Sequence, residues 1–234
     1  MPEPLVLVPG LLCDELLYAH QIKALDGIAD CWVADHRQDD SIEAMAERLL
    51  ADVPFETFNL AGLSMGGYIA FAVVEAASER VRRLALLDTS YKADQPEQTE
   101  RRRELIRFAD SGRFARVMPV LFPAFVAEDR VHDEALMADL AAMAGRTGGE
   151  AFIRQQTAII GRKDRTSFMS GIRQPTLVLC GDQDALTPPA LHEDMARSIP
   201  GAELVFVEGA GHLAPMEQPE PVNQAFQTWL KREI

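Results

Sequence analysis

The chain has 234 residues, 47% of them hydrophobic, enough to bury one full core, so a single domain is expected. A formal net charge of -13 argues against nucleic acid or an anionic membrane as partner, because phosphate binding needs clustered Lys and Arg. The one basic cluster, Arg101-Arg102-Arg103, is flanked by Glu100 and Glu104 and reads as a solvated helix face.

In chain order, Leu5–Val8 is a short apolar strand ending at Pro9-Gly10. Asp14 is placed to cap a helix through Leu25, and Cys31-Trp32-Val33-Ala34 reads as a second strand. Ser41 caps a helix whose apolar positions Ile42, Met45, Ala46, Leu49 and Leu50 follow the 3.6-residue period. Phe58–Ala61 is a third strand. The helix after Ser64 carries Ile69, Ala70, Val73, Val74 and Ala77 on one face, and Leu84–Leu87 is a fourth strand ending at Asp88. From about Ala93 to Lys163 the pattern is helical, with breaks expected at Gly112, Pro119, Pro123 and Gly145 to Gly149. Strand and helix then resume with Thr176–Cys180, a helix over about Pro189–Ser198, Glu203–Val207 and a closing helix presenting Val222, Ala225, Phe226, Trp229 and Leu230. Short, fully apolar strands alternating with helices indicate a doubly wound α/β fold. Its parallel sheet is covered on both faces, and ligands bind at the carboxyl ends of the strands. The expected division is a core of residues 1–90 and 164–234, with 91–163 as an all-helical lid over those ends.

Ser64 lies in Gly62-Leu63-Ser64-Met65-Gly66, on a tight turn from strand to helix that can push a hydroxyl out of the packed core. Such a hydroxyl is inert near neutrality without a base, and the base needs a third group to orient it. Of the five histidines, His20 lies in a helix, His36 in a polar loop, His132 in the insertion and His192 early in a helix. His212 instead follows the last strand in the glycine-rich loop Glu208-Gly209-Ala210-Gly211-His212, where it can reach over the ligand edge of the sheet. The acid should leave the end of an intervening strand. Asp182 sits within a turn, where Asp commonly bonds its own backbone. Asp184, just past it, is freer to face His212 and is preferred. Asp88 reads as a cap after the fourth strand. Two backbone N–H groups complete the set as an oxyanion hole: Met65, at a helix N-terminus, and Leu11, in the loop Pro9-Gly10-Leu11-Leu12.

These motifs resemble the α/β-hydrolase fold superfamily over essentially the whole chain. They are Gly62-Leu63-Ser64-Met65-Gly66-Gly67, the turn Gly181-Asp182-Gln183-Asp184 followed by Thr187-Pro188, and Gly209-Ala210-Gly211-His212. The resemblance implies Ser64, Asp184 and His212 as nucleophile, acid and base. The chain starts at what would be the third strand of that fold, so a shortened sheet of about six strands is expected. Pro9-Gly10 stands where the family usually has His-Gly. The nearest likeness is to small bacterial carboxylesterases and to enol-lactonases of aromatic catabolism, both of which work without a cofactor.

The expected activity is therefore hydrolysis of carboxylic esters of small, largely hydrophobic substrates. Leu12, Phe114, Met118, Phe122 and Phe125 are candidate pocket residues, and Arg107, Arg113 or Arg116 could supply a cation. An enol-lactonase, a C–C bond hydrolase, a haloperoxidase-like enzyme or a non-catalytic ligand-binding relative are the alternatives. No cofactor, metal, nucleic acid or membrane is expected as partner, and a monomer and a homodimer are equally compatible with the residues. Three cysteines, Cys13, Cys31 and Cys180, have neither disulfide nor zinc spacing. The start of the chain lacks a basic segment before its apolar run, and no stretch approaches the roughly 20 apolar residues of a membrane span. A cytoplasmic location is expected from these features.

Overall fold

The computed structural model describes residues 2–234. Six strands form one sheet: β1 (Glu3–Val8), β2 (Ala29–Val33), β3 (Phe58–Leu63), β4 (Val81–Leu87), β5 (Thr176–Gly181) and β6 (Glu203–Val207). Their order is β2-β1-β3-β4-β5-β6 and every adjacent pair is parallel. All residues of β3 and β5 are buried, as uniform apolarity requires of central strands covered on both faces. The edge strands β2 and β6 are less buried and expose Asp30 and Phe206.

Ten helices surround the sheet among the described residues. They are α1 (Ala19–Ala24), α2 (Ile42–Asp52), α3 (Met65–Ala77), α4 (Pro96–Phe108), α5 (Val117–Phe125), α6 (Glu134–Thr147), α7 (Gly149–Ile160), α8 (Pro189–Ser198), α9 (Ala214–Glu217) and α10 (Pro219–Trp229). The chain steps outward from β1 to β2 and then doubles back past β1 to β3. Right-handed crossovers therefore put α1 on one face and α2, α3 and α8 on the other. Accordingly α2 packs on α3, and α10 joins α1. The reversal of strand order between β1 and β3 opens a crevice at their carboxyl ends, the usual ligand position in such sheets. Helices α4 to α7 all fall between β4 and β5. No helix among the described residues is long and apolar enough to cross a membrane.

Local signals explain most boundaries. The Ser41 hydroxyl accepts the Ala44 N–H at 3.2 Å to start α2, and Asp133 accepts the Leu136 N–H at 2.9 Å to start α6. Three local expectations need correction. Asp14 caps a single 3₁₀ turn, Glu15–Tyr18, which then leads into α1. Pro119 and Pro123 lie within α5 rather than breaking it; Pro119 is in the first turn, where an N–H has no intrahelical acceptor to lose. Gly145 lies inside α6, and the break falls at Gly148, with φ 82°.

One of the tightest approaches in the core is between α3 and β1. A Cβ on Gly66 would meet the Val8 carbonyl oxygen at 2.0 Å, and one on Gly62 would meet the Gly66 oxygen at 2.2 Å. Gly66→Ala should therefore destabilise the fold by about 3 kcal/mol or more, because backbone cannot yield as a side chain can. That corresponds to a drop in Tm of roughly 6–12 °C. Gly145→Ala, inside α6 with open space around it, should instead leave Tm unchanged or raise it. Paired thermal melts check both, and equal melting of the Gly66 variant and the parent would contradict this packing.

Candidate active site

Ser64 is the residue between β3 and α3, with φ 54° and ψ -114°, a region L-residues seldom occupy. The turn is held from three sides. The Ser64 N–H donates to Leu87 O at 3.0 Å, and its carbonyl accepts from the Gly67 N–H at 2.9 Å and the Thr89 hydroxyl at 2.7 Å. Its side chain is thereby aimed into the crevice at the head of α3.

His212 and Asp184 complete a continuous chain of hydrogen bonds. Ser64 Oγ lies 2.8 Å from His212 Nε2, and His212 Nδ1 lies 2.8 Å from Asp184 Oδ2. A carboxylate only accepts, so Nδ1 carries the proton and Nε2 accepts from the serine hydroxyl. Asp184 also accepts the Thr187 hydroxyl at 2.6 Å and the N–H groups of Leu186 (2.8 Å) and Thr187 (3.0 Å). Burial alone would raise its carboxyl, but the neighbouring His212 and the Thr187 hydroxyl and amide outweigh burial and hold it below the ordinary value. Asp182 accepts the Gly209 N–H at 2.9 Å, so it bonds across to the His212 loop rather than to the backbone of its own turn. The arrangement can move the Ser64 proton onto His212 while Asp184 stabilises the resulting imidazolium.

Leu11 and Met65 follow β1 and Ser64. Leu11 lines the crevice, and Met65 is the first residue of α3, where its N–H lacks an intrahelical acceptor. The Leu11 loop is fastened by two residues that the sequence did not mark. His36 Nε2 donates to Pro9 O at 3.0 Å; its Nδ1 then accepts the Gln155 amide at 3.0 Å, and Gln155 Oε1 accepts the Leu12 N–H at 3.2 Å. Burial lowers the His36 pKa, which keeps the ring neutral, as this pattern needs. A third missed residue, Glu217, braces the His212 loop. Its buried carboxylate accepts the N–H groups of Ala127 (2.7 Å), Gly211 (3.0 Å) and Leu213 (3.1 Å). A charged residue directly ending the apolar run Leu213–Met216 was the only available signal for it.

Ser64, His212 and Leu11 open onto a cavity of about 250 Å³. Of the five candidate pocket residues, only Phe125 lines it. Leu12, Met118 and Phe122 are buried in the core, and Phe114 packs against the Phe152 ring at 5.9 Å. Leu105, Leu121 and Ile159 supply apolar wall instead. Arg107, Arg113 and Arg116 are not in the lining; Arg107 pairs with Glu100, and Arg113 stacks on Phe108. Arg101 and Arg102 do line it, so the 101–103 cluster is not simply a solvated face.

Behind Asp184, Asp88 and Cys180 place ligand-type atoms within 4.8 Å of one another and of the Asp184 carboxylate. The set suits a cation poorly. Burial, together with the Asp184 charge, holds Asp88 well above the carboxylate range, and burial raises the Cys180 thiol, which donates to Gly181 O at 3.0 Å. Asp88 Oδ1 accepts the Gly181 N–H at 2.8 Å, so this residue bonds across to β5 rather than capping its own turn. His192, kept neutral by burial with a pKa lowered to about 4, accepts the Thr89 N–H next to it at 3.0 Å.

Comparison with known proteins bears on the fold that carries this geometry. Residues 3–219 match the sequence model of the alpha/beta hydrolase fold. A candidate carbamate hydrolase, RutD, of Rhizobium rhizogenes is 26% identical over 97% of this chain and 92% of its own length. Among solved structures, a thermophilic esterase of Thermogutta terrifontis, in malate-bound form, is 30% identical with a TM-score of 0.89, covering 99% of this chain and 90% of that one. An enol-lactonase of Burkholderia xenovorans, 23% identical with a TM-score of 0.89 over 99% of this chain and 92% of its own, shares the fold. The chain belongs to the alpha/beta hydrolase fold family.

Proposed function

We propose that this protein is a serine hydrolase that cleaves carboxylic esters through an acyl-enzyme on Ser64. The observation that carries the reading is the unbroken Ser64–His212–Asp184 hydrogen-bond chain at the mouth of a partly apolar cavity. In this mechanism His212 Nε2 takes the hydroxyl proton as Ser64 Oγ attacks the ester carbonyl. The N–H groups of Leu11 and Met65 hold the oxyanion, and His212 returns the proton to the departing alcohol. Water then repeats the steps in reverse and frees the acid. A lactone is an ester closed in a ring, and the same groups would open it, so lactonase activity falls within this chemistry.

Residues 91–163 act as the cap in this reading, over a core of 1–90 and 164–234, and the cap residues on the cavity wall set which ester fits. A cytoplasmic location belongs to the same reading; Cys13 and Cys180, buried as free thiols, suit a reducing compartment.

Ser64→Ala should lower kcat on p-nitrophenyl acetate by about 10⁴ or more, with Tm essentially that of the parent, since no packing atom but Oγ is lost. Turnover at the parental rate would overturn the assignment. Gln155→Leu tests the loop anchor separately. It strips partners from both the Leu12 N–H and His36, so the Leu11 donor should drift. A fall in kcat of about tenfold with little change in KM is expected, because the donor acts on the oxyanion more than on the bound ester. A change confined to KM would remove the loop from the oxyanion site.

A further inference from the structure

The protein is strongly acidic, yet its cavity wall carries four cations, Lys92, Arg101, Arg102 and Arg162, and no Asp or Glu. Helix α4 brings Arg101 and Arg102, the segment before α4 brings Lys92, and the residue two places past α7 brings Arg162. One buried carboxylate stands behind them. Asp94 takes Arg102 Nε on Oδ2 at 2.8 Å and Arg162 Nη1 on Oδ1, with its side chain 1% exposed. Two guanidinium groups thus share a single negative charge. No carboxylate pairs with Lys92 or Arg101 among the described residues; Lys92 Nζ lies over the Tyr91 ring at 5.3 Å. The group carries an excess of positive charge facing the same space as Ser64 and His212.

The two inner arginines are rigidly held. Arg162 donates Nε to Lys92 O at 2.8 Å and lies 4.5 Å above the Tyr68 ring, itself part of the cavity wall. Arg102 Nη1 donates to Gln156 Oε1 at 3.0 Å. Neither side chain commits its Nη2 to a hydrogen bond among the described residues. Arg162 is buried and Arg102 half-buried beside their shared carboxylate, while Lys92 and Arg101 stand exposed at the rim of the cavity, so the positive charge runs from the rim to the wall.

We infer that the substrate is an ester whose acyl or alcohol half carries a free carboxylate, which these four cations bind while Ser64 attacks the distal ester carbonyl. The inference rests on the ester-hydrolase reading for the second half of that statement, but binding of the carboxylate stands apart from turnover. It adds a charged end to the small, largely hydrophobic substrates expected from the residues. The apolar wall from Leu105, Leu121, Phe125 and Ile159 suits a short hydrocarbon spacer between carboxylate and ester.

The test separates the two claims. Ser64→Ala protein, titrated calorimetrically with adipate and with neutral adipamide at low salt, should bind adipate at least about tenfold more tightly, and Arg101→Gln or Lys92→Gln in that background should weaken adipate by about fivefold each. Arg103→Gln, on the same helix but outside the wall, should leave adipate binding unchanged. With Ser64 present, monoethyl adipate should exceed diethyl adipate in kcat/KM, and the ratio should fall in the Arg101 and Lys92 variants. Equal binding of adipate and adipamide overturns the carboxylate site even if both esters are cleaved. Tight, cation-dependent adipate binding with neither ester cleaved supports the site and overturns the ester-hydrolase reading instead.

Discussion

The close contact of Gly66 with the end of β1 is the constraint on which the rest of the site depends. Glycine at that position lets α3 start against the Val8 and Pro9 carbonyls. This single approach fixes the Ser64 turn and the Leu11 loop relative to each other, because one follows β3 and the other β1, on either side of the reversal in strand order. The cost is a serine with positive φ, recovered through the bonds its backbone makes to Leu87, Gly67 and Thr89.

The opposite wall of the crevice is built differently. His212 lies on a loop with no strand to stiffen it, and a buried carboxylate, Glu217, gathers three amides around it. Burial raises the Glu217 carboxyl, while the amides of Ala127, Gly211 and Leu213 work against that shift. One of those amides belongs to the end of the α5 segment, and the His212 N–H itself donates to Phe125 O at 3.1 Å. The helical insertion and the imidazole are therefore mechanically joined, so the part of the molecule that shapes the cavity also positions its histidine.

Much of this was legible in the residues. The strands and helices of the core follow from local apolar period and caps such as Ser41, and Ser64, Asp184 and His212 stand at the ends of the right strands. What escaped is what depends on distance in sequence. His36 looked like a polar loop residue because its partners, Pro9 and Gln155, lie 27 and 119 positions away. The apolar series from Phe114 through α5 has one buried side and one crevice side. A stretch containing two prolines gives no phase by which to tell them apart, so Phe125 was found together with three residues that pack elsewhere. The arginine cluster was read from its own acidic neighbours, whereas the carboxylate that matters, Asp94, lies before the helix and is shared with Arg162, 60 residues beyond Arg102.

Function in this account comes from joining a stiff half, which holds the serine, to a helical half that selects what reaches it. The most direct measurement is labelling of the folded protein with a fluorophosphonate, followed by peptide mass mapping, in the parent and in His212→Gln. The account predicts one adduct per chain on Ser64, formed in the parent and slowed by several orders of magnitude in the variant. Labelling of another residue, or equal labelling of Ser64 without His212, would contradict it.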